Sequence, residues 1–308
     1  MKNIAESQKK YLARDRNIGF SSVHPLPCLI YYIGVIIFSM MIKHPLFIFT
    51  GLVLTIFINY IGDEGRTLKK SLKFYLFIGM MVALINPFIS HEGNTIIFYF
   101  FSRPITLESV VYGIVMMFSL LIILFVFISF NQIMTNEKIL FLFSNISPNT
   151  GLIVMMILRF VPLLKDRIQD ISLIQEQRGI STKEGKIKKR LENGMKILNV
   201  LIAWSLEESI ETARSMKGRG YGVVHRRTFY NNYRMDKRDW TVFLVLLSLI
   251  FLIIVLHGLG YGKFEIYPKV GNILFNLKDV FLYILFILYM SIPIVLEGTD
   301  RLKWNKFR

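Results

Sequence analysis

Long apolar runs, separated by short basic stretches, decide what this chain can fold into. A helix needs about 20 mostly apolar residues to cross the roughly 30 Å hydrocarbon core of a bilayer. Candidate spans cover residues 28–42, 46–61, 72–89, 110–130, 240–256 and 280–296. The first two are short and are parted by Lys43-His44-Pro45, so they read as a tight helical hairpin. Asn86-Pro87 lies inside the third and marks a kink, because proline removes a backbone donor. Hydrophobic residues make up 53% of the chain and charged residues only 19%, more apolar side chain than a soluble core can hold. The expected fold is all-α: a polytopic membrane protein with about six transmembrane helices and a helical cytoplasmic segment between spans four and five.

Other classes fall away on composition. A disordered chain needs low hydrophobicity. A disulfide framework or a cysteine metal site needs more than the lone Cys28, and the scattered histidines have no zinc spacing. No cofactor, metal or catalytic residue is expected. The 37 Lys and Arg exceed the 21 Asp and Glu to give a net charge of +16. In a chain with apolar spans, such an excess belongs first to the cytoplasmic loops. Nucleic-acid binding ranks last, because the basic stretch has little aromatic interleaving before Phe229, Tyr230 and Tyr233.

Placing the N-terminus in the cytoplasm puts every basic cluster on one side. Inside fall Lys9, Lys10, Arg14 and Arg16, the loop 62–71 with Arg66, Lys69 and Lys70, the segment 131–239, and the tail after Glu297. The loops 91–109 and 257–279 fall outside and carry few basic residues. The expected division is a cytoplasmic extension over 1–27, which lacks the pattern of a cleaved leader, and spans one to four over 28–130. A cytoplasmic or membrane-surface coupling domain follows over 131–239, then spans five and six over 240–297 and a cytoplasmic tail over 298–308. Both termini are expected in the cytoplasm of a multi-pass protein of the cell membrane.

Residues 159–238 hold 18 Lys and Arg against 9 Asp and Glu. Pro148-Asn149-Thr150-Gly151 opens an apolar helix that turns amphipathic, with Leu164, Ile168, Ile171 and Ile174 on one face. It ends at Gln177-Arg178-Gly179, where glycine takes the left-handed cap position. A linker over 181–190 precedes a second helix from about Leu191, which ends at Gly218-Arg219-Gly220. Two helices thus share one design: an apolar body, polar last turns, then Arg-Gly. One such end is a routine cap. Two in one cytoplasmic segment point to docking, since the planar fork of arginine suits bidentate pairing with a carboxylate.

These residues carry a family resemblance. Leu158-Arg159-Phe160-Val161-Pro162-Leu163-Leu164, then Gln177-Arg178-Gly179-Ile180, then Ala213-Arg214-Ser215-Met216-Lys217-Gly218-Arg219-Gly220-Tyr221 resemble the transmembrane (T) component of energy-coupling factor transporters. That family includes the cobalt-transport subunit CbiQ. His24-Pro25 resembles the family's Asp-Pro before the first span, and Arg238-Asp239-Trp240 before the fifth is also similar. Here Gln177 stands where the family has alanine, and Gly218 interrupts the second motif, but both arginines remain. The resemblance implies a non-catalytic scaffold of an ATP-driven importer of vitamins or transition metals. Its implied partners are two cytoplasmic ABC-type ATPases, one small substrate-binding membrane subunit (the S component) and the lipid bilayer, with no nucleic acid. It also implies that Gln177, Arg178, Gly179, Gly218, Arg219 and Gly220 dock on the ATPases. The sequence contains no Gly-x-x-x-x-Gly-Lys-Ser/Thr loop of its own.

Two rival readings remain. One is an integral membrane enzyme, with Gly62-Asp63-Glu64-Gly65-Arg66 or the Glu207, Glu208 and Glu211 cluster as acidic groups. The other is a conventional permease that binds substrate itself, which charged residues inside the spans would mark; Asn59 and Asn86 are the only amides of note.

The topology has a direct test. In intact cells, Asn272→Cys is expected to react with an impermeant thiol reagent and Lys186→Cys is not. Labelling of Lys186→Cys would overturn the orientation.

Overall fold

A computed structural model of the chain describes residues 19–63, 65–90, 93–100, 103–182, 185–223, 233–264, 266, 271 and 277–306. Most of the N-terminal extension, Glu64, Phe229, Tyr230 and Asn272 lie outside the described residues. The chain divides into two compact units, residues 1–138 with 233–308, and residues 139–232.

The first unit contains a 3-10 turn at Gly19–Ser22 and the helices α1 (Pro25–Met41), α2 (Pro45–Asp63), α3 (Arg66–Ile89), α4 (Leu107–Ile133), α8 (Lys237–Gly258) and α9 (Leu277–Lys306). Among the described residues, five helices are long and apolar enough to cross a membrane: α2, α3, α4, α8 and, over Asp279–Asp300, α9. α1 is a shorter apolar helix of 17 residues. This is an all-α polytopic membrane protein. α4 packs against α1, α2 and α3, and α9 packs against α2, α8 and the 3-10 turn.

The short connection between α1 and α2 depends on a repeated His-Pro start. Pro25 and Pro45 sit at the first helical position, where a missing N–H costs nothing. His24 Nδ1 accepts from the Leu26 N–H and His44 Nδ1 from the Leu46 N–H, both at 3.3 Å. The imidazole thus does the capping work of the aspartate in the resembled motif.

α3 starts at Arg66, so most of the expected loop 62–71 is helical. Arg and Lys are good helix formers, and their long stems let the charges reach the surface. Pro87 lies inside α3 and cannot donate to the Ala83 carbonyl one turn back. That carbonyl faces α4 at Gly113, where an added Cβ would stand 2.8 Å from the Ala83 oxygen. The glycine is what lets the two helices approach there. Between α3 and α4 the chain forms an antiparallel hairpin, β1 (Ile96–Phe100) with β2 (Arg103–Thr106). Buried Glu108, in the first turn of α4, holds it by accepting from the Asn94 and Thr95 N–H groups at 3.3 Å and from Thr95 Oγ1 at 2.8 Å.

The second unit contains most of α5 (Asn136–Ile146), then α6 (Pro148–Gln177) and α7 (Ile187–Gly218). α7 starts four residues earlier than the sequence suggested. The linker is tied back onto it by Arg190 Nε donating to the Thr182 carbonyl at 2.7 Å and Asn193 Nδ2 to the Ser181 carbonyl at 2.8 Å.

Gly113→Ala is expected to destabilise the protein by ~1–3 kcal/mol, because backbone and not a pliable side chain blocks the new methyl. Gly194→Ala, in α7 with open space around it, is expected to stabilise its helix by up to ~1 kcal/mol. Thermal unfolding in detergent measures both. Equal effects would mean that the Ala83–Gly113 approach is not tight.

Candidate partner-docking helix ends

α6 and α7 pack on each other along one face of each. Ile171 of α6 and Asn193 and Ile197 of α7 are buried, and the Arg167 guanidinium lies 4.6 Å from the centre of the Trp204 ring. The apolar stripe on the other side of α7 has no cover among the described residues. Ile187, Leu191, Met195, Leu198, Ile202, Leu206 and Ile210 recur every three or four residues and all are exposed.

Each helix ends in the same hydrogen-bonded cap. At the end of α6, the Gly179 N–H donates to the Glu176 carbonyl at 3.0 Å and the Ile180 N–H to the Gln175 carbonyl at 2.9 Å. At the end of α7, the Gly220 N–H donates to Lys217 and the Tyr221 N–H to Met216, both at 3.0 Å. This is the Schellman arrangement. It needs a left-handed residue after the cap, and Gly179 and Gly220 supply it with φ of 77° and 84°. Arg178 and Arg219 are the cap residues, with φ near −88° and ψ of 10°. Gly218 does not shorten α7, which runs through it.

The same cap closes α8, where the Gly260 N–H donates to His257 and the Tyr261 N–H to Leu256. There the cap residue is Leu259. The backbone geometry therefore asks for the glycine and is indifferent to the arginine. Gln177, Arg178, Gly179, Gly218, Arg219 and Gly220 are all exposed. Among the described residues neither guanidinium meets a carboxylate. The two triplets do not form one site. α7 carries Arg219 about 48 Å from its own start at Ile187, and the short connection from Arg178 to Ile187 spans at most about 32 Å, so the arginines stand at least ~15 Å apart. That spacing fits two separate contacts.

Glu207 and Glu211 are exposed on α7, and Asp63 Oδ2 accepts from Thr67 Oγ1 at 2.6 Å. Among the described residues no group of three or more His, Cys, Asp or Glu could hold a metal. Sequence reasoning passed over two buried charges, Glu108 and Lys138. Glu108 belongs to the β-hairpin. Lys138 Nζ donates to the Ser21 carbonyl at 2.6 Å, and burial pulls its ammonium below the ordinary lysine range. No local motif marks either residue, since their partners lie elsewhere in the chain.

The sequence matches the cobalt transport protein family, CbiQ, over residues 20–230, more than half of the chain. It is 34% identical over 106 residues to the energy-coupling factor transporter transmembrane protein EcfT of Lacticaseibacillus paracasei, covering 33% of this chain and 40% of that protein. It is 29% identical over 110 residues to the protein of the same name from Staphylococcus aureus, covering 36% of this chain and 41% of that protein. The chain thus spans about two fifths of the length of these curated relatives.

Cap and arginine are separable by mutation. Gly179→Ala and Gly220→Ala are expected to cost ~1–2 kcal/mol each by forcing a Cβ into left-handed backbone. Arg178→Ala and Arg219→Ala are expected to leave the helix ends intact, within about 0.5 kcal/mol. Amide exchange at Ile180 and Tyr221 reads the caps directly. Loss of protection in the arginine variants would make these arginines structural.

Proposed function

The chain belongs to the cobalt transport protein family, CbiQ, and we propose that within it the protein is the transmembrane coupling subunit of an ATP-driven energy-coupling factor importer. Two cytoplasmic ABC-type ATPases dock on the ends of α6 and α7, one at Arg178 and one at Arg219. A small membrane S component binds the substrate, a vitamin or a transition metal, and the substrate choice lies with that subunit. The protein sits in the cell membrane with both termini in the cytoplasm. It performs no hydrolysis; motion of the ATPases reaches the S component through α6 and α7.

One observation carries this reading: two identical caps, set apart, each display an arginine that the cap does not need. An exposed guanidinium at a helix end is a ready anchor for a carboxylate in a partner's groove. The exposed stripe on α7 supports a further protein contact, because a row of apolar side chains over six turns is costly to leave in water. The lack of a phosphate-cradling glycine loop in the sequence supports hydrolysis by the partners. The Arg-Phe-Val-Pro and Arg-Gly motifs, together with the named relatives, support the same assignment.

The test is co-purification in mild detergent followed by substitution. The tagged chain is expected to recover two P-loop ATPases and a small membrane protein, and to show no ATPase activity alone. Arg178→Ala and Arg219→Ala are each expected to weaken ATPase binding by ~2–4 kcal/mol, since a partner carboxylate is left buried and unpaired. Arg→Lys restores part of it, because an ammonium cannot make the bidentate contact. Lys188 and Lys189 variants shift only the salt dependence. Wild-type ATPase recovery in the double arginine variant would overturn the docking role.

A further inference from the structure

The segment 139–232 is continuous in sequence, so it joins the membrane unit covalently at two points: outward after Lys138 and back at Tyr233. Both points are fastened to one short stretch of chain. At the outward crossing, buried Lys138 donates its Nζ hydrogen to the Ser21 carbonyl at 2.6 Å. At the return crossing, His24 hydrogen-bonds the Tyr233 backbone, and the two rings stand edge-on with centroids 6.4 Å apart. His24 can serve both neighbours as a neutral imidazole, with Nδ1 accepting from Leu26 and the other ring nitrogen left for Tyr233. Burial lowers its pKa and favours that form.

The same stretch is anchored in the bundle. Phe20 is buried edge-on against Tyr31 and Tyr32, at 5.3 Å and 6.1 Å between centroids. The Cys28 thiol donates to the Phe20 and Val23 carbonyls at 3.6 Å and 3.8 Å. The Gly19 N–H donates to Asp300 Oδ2 at 3.0 Å, and Arg238 donates to the same oxygen at 2.9 Å. Residues 19–24 therefore touch α5, the returning chain at Tyr233, α1 and α9, and through Asp300 they share a partner with α8.

We propose that residues 19–24 form a strap that locks the two crossings to each other and to the membrane bundle, with Lys138 and His24 as its positioning residues. A displacement of 139–232 enters the membrane unit at the two crossings, and the strap makes them move as one. Its mechanical role rests on the coupling function proposed above; the linkage itself does not.

The test separates the two. In the purified full chain, Lys138→Met keeps the length of the side chain and removes the donor. His24→Asn keeps an N-cap acceptor for α1 and removes the ring. Amide exchange is expected to rise about tenfold over 19–24 in both variants, and also at the crossing remote from each mutation: at 233–237 for Lys138→Met and at 136–140 for His24→Asn. A rise confined to the mutated crossing would overturn the strap. In the assembled transporter in vesicles, both variants are expected to keep ATP hydrolysis while substrate taken up per ATP falls about tenfold. Uptake per ATP at the wild-type level would overturn the mechanical role. If the wild-type chain recovers no ATPase, the coupling function fails, and the exchange measurement still decides the linkage.

Discussion

Inside a bilayer no water is at hand for a backbone N–H or carbonyl, so each must find its partner within the protein. Helix interiors meet that demand from within, and helix ends do not: each leaves four groups unsatisfied. The residues with special chemistry accordingly sit at ends. His24 and His44 each accept a first-turn N–H with their imidazoles, and Thr106 Oγ1 accepts from Ser109 at the head of α4. Asp236 and Asp239 form a reciprocal capping box at the head of α8. Pro87 breaks the ladder inside α3, and the carbonyl it releases abuts Gly113 on the neighbouring helix. Between these ends a few interhelical hydrogen bonds add to the apolar packing: Asn59 Nδ2 donates to the Phe125 carbonyl at 2.9 Å, and the Tyr32 and Ser129 hydroxyls pair at 2.7 Å.

The same demand explains why an arginine at a cap can be informative. A Schellman cap uses backbone groups alone, and only its glycine is constrained. The residue before the glycine is free to vary, and α8 shows this by placing leucine there. Arginine at both ends of the α6–α7 pair, with neither charge matched by a carboxylate among the described residues, is thus a choice that the fold does not impose. An exposed arginine gains little from the helix dipole, a few tenths of a kcal/mol at an exposed site by the usual magnitude. A desolvated bidentate pair at an interface is worth several times that. The magnitudes favour a role outside the chain.

The sequence made the spans legible because lipid selects for uninterrupted apolar runs, and 110–130 falls wholly within α4. It made both helix ends legible because glycine in left-handed backbone has few substitutes, and Gly179 and Gly220 stand where the Arg-Gly pairs predicted. It failed where the deciding partner is remote. Arg66, Lys69 and Lys70 read as a basic loop by charge, yet they begin α3. The linker 181–190 has no apolar period, yet Arg190 and Asn193 fold its first part onto an α7 that starts at Ile187. The β-hairpin at 96–106 depends on Glu108, whose local sequence reads only as a helix start. Arg238 reads as a motif residue, but its partner, Asp300, is 62 positions away.

Those remote contacts share a feature that bears on how such a chain could transmit force. Packed helices have few intermediate arrangements, because interiors are dense and side chains sit in discrete rotamers. A push on one helix is therefore passed on as a rigid-body shift or not at all. Polar ties decide which bodies move together, since a charged hydrogen bond broken in a dry setting costs more than a sliding apolar contact. In the membrane unit several such ties meet around residues 19–24: Lys138 to Ser21, Gly19 and Arg238 to Asp300, and His24 to Tyr233. The apolar faces of α3, with Phe74, Phe77, Met80 and Leu84 exposed, have no comparable tie among the described residues. Under the proposed coupling role, that contrast fastens the chain where displacement enters and leaves α3 to slide against lipid or another membrane protein.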